Sequence, residues 1–174
     1  MGWNMSEVRR GEGGVLSHVA NAAMAAACVA LVAMALVQAW QVFARYVLNS
    51  SPGWTEPVAL ICMSLAVMLG AAVAVRRETH FGFFTLLEIS PPPLRRVLKA
   101  VNRLIAALTG LALAWWGTML MLDDWSVPMP GAPLPSGIRY AALTVGGTLM
   151  ALFALERLLR GDPPPPATTE TAEA

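Results

Sequence analysis

Four long apolar stretches separated by short polar segments dominate the pattern of the chain. A bilayer core about 30 Å thick needs roughly 20 apolar residues of helix, because each residue of an α-helix rises about 1.5 Å. We therefore predict an all-α integral membrane protein whose four transmembrane helices lie within residues 17–44, 57–75, 104–122 and 138–155. The runs are continuous rather than alternating, so they do not fit the strands of a membrane β-barrel.

The two ends of the chain differ from this predicted membrane domain, which covers residues 17–160. Residues 1–16 form a polar, charged N-terminal tail. The apolar run that follows is much longer than the ~7–15 residues of a signal-peptide core, so we interpret it as an uncleaved membrane anchor. Residues 161–174 are rich in proline and carry acidic side chains, a composition typical of a disordered tail.

Lysine and arginine are concentrated in three places: the N-terminal tail, the connection between the second and third spans, and the segment after the fourth span. The other two connections hold only Arg45 and Arg139, and the later of them also carries Asp123 and Asp124. Because basic loops tend to remain in the cytoplasm, we expect both ends of the chain to be cytoplasmic. Four tryptophans then fall towards the outer interface, where aromatic residues are enriched: Trp54, Trp115, Trp116 and Trp125.

The connection between the second and third spans contains two segments of unusual character. Residues 81–87 are too apolar for a solvated loop and too short to cross a membrane. Residues 94–103 alternate basic and aliphatic side chains at helical spacing. One interpretation is a short interfacial amphipathic segment that lies on the anionic inner leaflet, and the other is the basic flank of the third membrane helix.

Composition limits the chemistry that this chain can carry out. It is 56% hydrophobic and 13% charged, and its net charge of +1 gives no reason to expect a nucleic-acid partner. No catalytic triad, phosphate loop or zinc-binding spacing is present in the sequence. The two histidines, His18 and His80, lie at or beyond the edge of the predicted hydrocarbon core, which does not suit a haem pair. We therefore expect neither an enzyme nor a bound cofactor or metal.

The predicted spans also have essentially no ionisable side chains near their centres. A solute pathway through a membrane usually needs such groups, and four short spans without broken helices or an inverted repeat make a poor transporter alone. We therefore predict that the chain supports another membrane subunit.

The strongest local pattern joins the first two spans. Arg45 ends the first helix, and Glu56 begins the second, where the positive end of the helix dipole favours a carboxylate. Thr55 is expected to cap the second helix through its hydroxyl. Arg45 and Glu56 either form an ion pair that braces the hairpin, or act separately, with the arginine reaching towards the headgroups.

At these residues the chain resembles the small membrane subunit of TRAP transporters, the DctQ-like small permease component. The resemblance covers roughly residues 17–160. It rests on four short motifs, which are Arg45-Tyr46, Trp54-Thr55-Glu56, Gly70-Ala71-Ala72 and residues 76–80, and the loop of residues 131–140 is also similar in character. Pro57 stands where the family usually has a second glutamate, so no role of a paired carboxylate is carried over.

The resemblance implies a three-part secondary transporter of the bacterial inner membrane. In it, a periplasmic binding protein captures an organic acid, and a large membrane subunit carries the acid inward with sodium. This chain would be the lipid-embedded small subunit, which packs beside the large permease subunit as a scaffold and helps the binding protein to dock. The interface or structural candidates are Arg45, Trp54, Glu56, Arg76, His80, Asp123 and Asp124. Candidates for the face that meets the large subunit are Gly110, Gly117, Gly146 and Gly147.

Other functions remain open at this point. The small subunit of a tripartite tricarboxylate transporter also has four helices. A haem-bearing membrane anchor of a redox complex would use the histidine pair, and a generic four-helix scaffold would have no transport role.

Overall fold

The computed structural model describes residues 15–77 and 92–160 of the chain. These residues form four long α-helices: α1 (Val15–Tyr46), α2 (Thr55–Arg76), α3 (Pro92–Asp123) and α4 (Ala141–Arg160). Four helical segments are long and apolar enough to cross a membrane. The predicted all-α fold with four potential spans is therefore confirmed. The two tails and residues 78–91, which include His80 and the apolar segment 81–87, lie outside the described residues.

Two details of the helices differ from the simplest sequence pattern. α3 runs without a break from Pro92, so residues 94–103 belong to the same 32-residue helix as the third span. At about 1.5 Å per residue this helix is about 48 Å long, well beyond the hydrocarbon core. For this part of the connection, the structure favours the basic flank of a membrane helix. At the other end, the first residues of the predicted fourth span lie in a short 3-10 helix, Ser136–Tyr140, and α4 begins only at Ala141.

The four helices lie in a row in the order α1–α2–α4–α3. The most extensive contacts join α3 to α4, α1 to α2, and α2 to α4. The two inner helices of the row are correspondingly better covered: 28% and 33% of the most apolar stretches of α2 and α4 are buried, against 17% for α1 and for α3. Most of the apolar helix surface is therefore left for lipid or another protein to cover.

The contact between α1 and α2 is built on alanine. The buried positions of α1 follow at intervals of three and four residues, which keeps them on one stripe of the helix: Ala20, Ala23, Ala27 and Ala30. Ala23 and Ala27 pack against Leu69 and Val73 of α2. Small side chains let the two backbones approach closely, which is how membrane helices gain packing contacts without a hydrophobic driving force.

The contacts of α4 are built on glycine. A Cβ atom added at Gly110 of α3 would lie 2.8 Å from the carbonyl oxygen of Gly147, and one at Gly147 would lie 2.8 Å from the oxygen of Gly110. Likewise, a Cβ at Gly117 would meet Leu143 and Thr144, and one at Gly146 would meet Met68 of α2. The four glycines that were candidates for the large-subunit face are therefore used inside the chain, where they bring α3 and α2 against α4.

Candidate functional site

The polar groups of the described residues gather at the two ends of the helix row. We call the end where α1 finishes and α2 begins the outer end, and the opposite one the inner end, following the predicted orientation. Between them the helices present mainly aliphatic and aromatic side chains. The candidate residues from the sequence accordingly divide into an outer group and an inner group.

Two connections meet at the outer end and form what we call the outer platform, residues 47–54 and 124–140. Gly131 has a φ of +81°, a conformation that other residues adopt with strain. A Cβ at Gly131 would also collide with the carbonyl oxygen of Gly53 in the other connection. Glycine at position 131 therefore permits the close approach that joins the two connections.

The later connection is held by its own hydrogen bonds. The amide of Met129 donates to the Leu134 oxygen at 2.8 Å, and the amide of Ser136 donates to the Val127 oxygen at 2.8 Å. These bonds bracket an isolated bridge between Pro128 and Pro135. The proline-rich connection is thus a folded turn rather than a loose loop.

Arg139 ties the end of this turn to its first residue, Asp124, which directly follows α3. Its Nη2 donates to Oδ2 of Asp124 at 3.1 Å, and its Nε donates to the Ser136 oxygen at 3.0 Å. The guanidinium also lies 5.3 Å from the centre of the Tyr140 ring. The arginine and aspartate side chains remain 50% and 30% exposed, so the ion pair itself contributes at most about 1 kcal/mol.

The predicted role of Thr55 as the cap of α2 is wrong. The N-cap position is Trp54, which has helical dihedral angles and makes no side-chain capping bond. Thr55 is the first helical residue and is fully buried, and its hydroxyl donates to the Pro52 oxygen at 2.8 Å. The threonine therefore fastens the preceding loop to the helix and leaves Trp54 facing outward.

The outer charged candidates do not form a pair. Arg45 and Glu56 are both exposed, and neither side chain makes a hydrogen bond or ion pair with another residue in the described ranges 15–77 and 92–160. Of the two alternatives for the first hairpin, the structure favours separate charges. Asp123 is exposed as well, whereas Asp124 is held by Arg139. The outer end thus displays Glu56 and Asp123 as accessible carboxylates.

A second polar cluster, which we call the inner latch, joins α2 to α4 at the inner end. Nε of Arg76 lies 3.2 Å from Oε2 of Glu156, and the two side chains are only 11% and 8% exposed. The same guanidinium lies 5.6 Å from the ring centre of Phe153, which is fully buried in the main apolar cluster. A cation at this distance from an aromatic face is attracted to it.

Arg157 completes the inner latch by donating from its Nε to the Arg76 oxygen at 2.9 Å. It thereby satisfies one of the carbonyl groups that the end of α2 leaves without a helical partner. Sequence reasoning identified Arg76 as a candidate but missed Glu156 as its partner. The available signal was that Glu156 is the single carboxylate of α4, next to a span in which an unpaired charge is costly.

These clusters hold helix ends together and display charges, as expected of a membrane subunit that acts through partners. The family described as tripartite ATP-independent periplasmic transporters, DctQ component, matches residues 34–163 of the chain. The chain belongs to the DctQ family. The resemblance first seen in the sequence motifs is thereby confirmed.

Three small permease proteins from other transporters are similar to this DctQ-family chain over most of the chain's length. A putative TRAP transporter small permease protein of Haemophilus influenzae is 27% identical over 148 residues, which cover 83% of this chain and 90% of that protein. The C4-dicarboxylate TRAP transporter small permease protein DctQ of Vibrio cholerae is 28% identical over 71% of this chain and 64% of its own length. The sialic acid TRAP transporter small permease protein SiaQ of Vibrio cholerae is 24% identical over 74% of each chain.

Family membership decides between the functions that the sequence left open. The protein is a multi-pass membrane protein and the small permease subunit of a tripartite transporter, and it is not an enzyme. The TRAP family, rather than the tricarboxylate system or a redox anchor, is the one that the chain matches.

Proposed function

We propose that this small permease scaffolds the large permease subunit in the bacterial inner membrane and helps a periplasmic binding protein to dock at the outer end. The complete transporter would take up an organic acid together with sodium. Relatives named for C4-dicarboxylate and for sialic acid support an organic acid as the transported solute. The N-in, C-in orientation predicted from the basic segments would put the outer platform in the periplasm.

The observation that carries the docking role is the pair of accessible carboxylates on a folded outer surface. Glu56 stands at the start of α2 and Asp123 at the end of α3, and both are exposed. Neither belongs to the Asp124–Arg139 ion pair that holds the turn. A partner with a basic patch would find these charges already positioned, and complementary charges at an interface rim mainly speed association and select the partner.

The test is charge reversal at Glu56 in the complete transporter. Glu56→Lys should leave the amount of co-purified large subunit unchanged, because the glutamate side chain is exposed and has no hydrogen-bond or ion-pair partner among the described residues. It should weaken binding of the loaded binding protein by roughly three- to tenfold, mainly through a slower association rate that depends on salt. Binding to the complex in nanodiscs would be followed by biolayer interferometry, and uptake would be measured in vesicles.

Arg95→Glu is the matched control, because Arg95 is an exposed charge at the inner end of α3. It should not change binding of the binding protein. If Glu56→Lys left both docking and uptake at the wild-type level, the docking role of the outer carboxylates would be refuted.

A further inference from the structure

An open groove lies along the outer end of α1, and all of its lining residues within the described parts of the chain belong to that helix. We call it the α1 groove; its lining residues are Gln38, Gln41, Val42, Arg45 and Tyr46. Three of its polar members, Gln38, Gln41 and Arg45, follow at intervals of three and four residues, so they share one face of the helix. None of these three side chains has a hydrogen-bond or ion-pair partner within the described parts of the chain.

Lipid alone is a poor cover for this groove. Gln38 lies eight residues before the end of α1, which is about 12 Å along the helix axis. Arg45 is long enough to reach the headgroups, but a glutamine at that depth has no long stem to bring its amide to water. An amide without a partner in an apolar setting costs about 1–3 kcal/mol or more. Polar side chains on membrane helices therefore usually hydrogen-bond across to another helix.

The two edges of the helix row differ in the same sense. Between positions 101 and 122, the exposed side chains of α3 are large and apolar apart from Thr109, as expected for a lipid-facing surface: Val101, Leu104, Ile105, Leu108, Leu111, Trp115, Trp116, Met119, Leu120 and Leu122. α1 exposes large apolar side chains too, among them Val29, Val32 and Leu36, but it differs from α3 in also exposing the groove and several small side chains: Ala22, Ala25, Ala26, Ala35 and Ala39. Small residues let a neighbouring backbone approach, and polar groups fix its position.

We propose that α1 is the edge of the row that packs against the large permease subunit, and that the α1 groove receives a carboxylate of that subunit beside Arg45. The choice of the large subunit as the partner rests on the proposed function, whereas the choice of α1 as the contact face rests on the groove and the exposed side chains of that helix. A carboxylate matches the groove because every polar group there can donate: a guanidinium, two amide groups and the Tyr46 hydroxyl. The edge formed by α3 faces lipid.

Photo-crosslinking in the complete complex tests the face. A benzophenone amino acid is placed at Val42 in the α1 groove or, as the matched control, at Leu122 at the outer end of α3. These side chains are similarly exposed, at 57% and 66%. Irradiation of the co-expressed subunits in membranes should crosslink position 42, but not position 122, to the large subunit.

Each outcome of that experiment has a definite meaning. Crosslinks to the large subunit from position 122, with or without position 42, would overturn the proposed face. The same holds for no crosslink from either position in a complex that still co-purifies, and for crosslinks from position 42 to phospholipid alone. Loss of co-purification already with the unmodified chain would instead refute the scaffold function.

The carboxylate is tested by charge reversal. Arg45→Glu should lower the apparent affinity for the large subunit by at least about tenfold, whereas Arg45→Lys should retain most of it. Reversing one carboxylate near an outer helix end of the large subunit should restore binding to Arg45→Glu. If Arg45→Glu co-purified as much large subunit as Arg95→Glu, the charge pairing would be wrong even if the crosslink at position 42 stood.

Discussion

The Arg76 guanidinium is almost buried, and replacing Glu156 by alanine would remove the carboxylate that pairs with it. Removal of one partner of a buried ion pair typically costs about 3–5 kcal/mol, because the remaining charge stays desolvated. The side chains of Arg76 and Glu156 are only 11% and 8% exposed, so this regime applies, although headgroup water near a helix end favours the lower limit. We therefore expect Glu156→Ala to lower the free energy of unfolding by about 3 kcal/mol. For a chain of this size, such a loss corresponds to a fall in Tm of roughly 6–12 °C.

Thermal unfolding of the purified chain in detergent, followed by circular dichroism, measures this loss. Glu56→Ala is the matched control, because it removes an exposed glutamate that has no hydrogen-bond or ion-pair partner in residues 15–77 and 92–160; its effect should stay within about 0.5 kcal/mol. The double variant Arg76→Met with Glu156→Leu should be closer to wild type than Glu156→Ala, since it removes both charges of the pair together. A Glu156→Ala variant as stable as Glu56→Ala would refute the inner latch as a stabilising contact.

Two substitutions of glycine test the packing and the outer platform. Gly147→Ala places a Cβ 2.6 Å from the amide nitrogen of Ala114, so we expect α3 and α4 to separate and Tm to fall by several degrees. Gly70→Ala is the control: its Cβ meets nothing within 4 Å, so Tm should not change. Gly131→Ala combines a φ of +81° with a clash against Gly53, and it should cost about 2 kcal/mol and weaken docking of the binding protein without reducing co-purification of the large subunit. Equal Tm values for Gly147→Ala and Gly70→Ala, or unimpaired docking in Gly131→Ala, would contradict these assignments.

The four helices were predictable because lipid imposes one simple demand. A span must be a long apolar helix, and such runs are visible in the sequence without knowledge of their neighbours. The continuity of α3 through residues 94–103 was less clear, since a basic helix flank and an interfacial helix have similar patterns. The family, unlike the helices, was not predicted from physical demands on the chain; it was identified because the motifs around Arg45 and Trp54 resemble those of known small permeases.

The order of helices in the row could not be predicted from the sequence. Glycine at positions 110 and 147 indicates that some helix comes close, but the same pattern suits a neighbour inside the chain or in another subunit. Ion pairing was equally ambiguous: Arg45 and Glu56 are close in sequence and do not pair, whereas Arg76 and Glu156 are 80 residues apart and do. Long-range packing decides such pairs, and local spacing carries no information about it.

The central claim is that this small permease supports a transport path formed by the large subunit and provides no path of its own. Uptake of the organic acid into vesicles, with loaded binding protein outside and an inward sodium gradient, tests it in three preparations: both membrane subunits, the large subunit alone, and this chain alone. We predict uptake only when both membrane subunits are present. Uptake by this chain alone, or a full rate from the large subunit without it, would contradict the account.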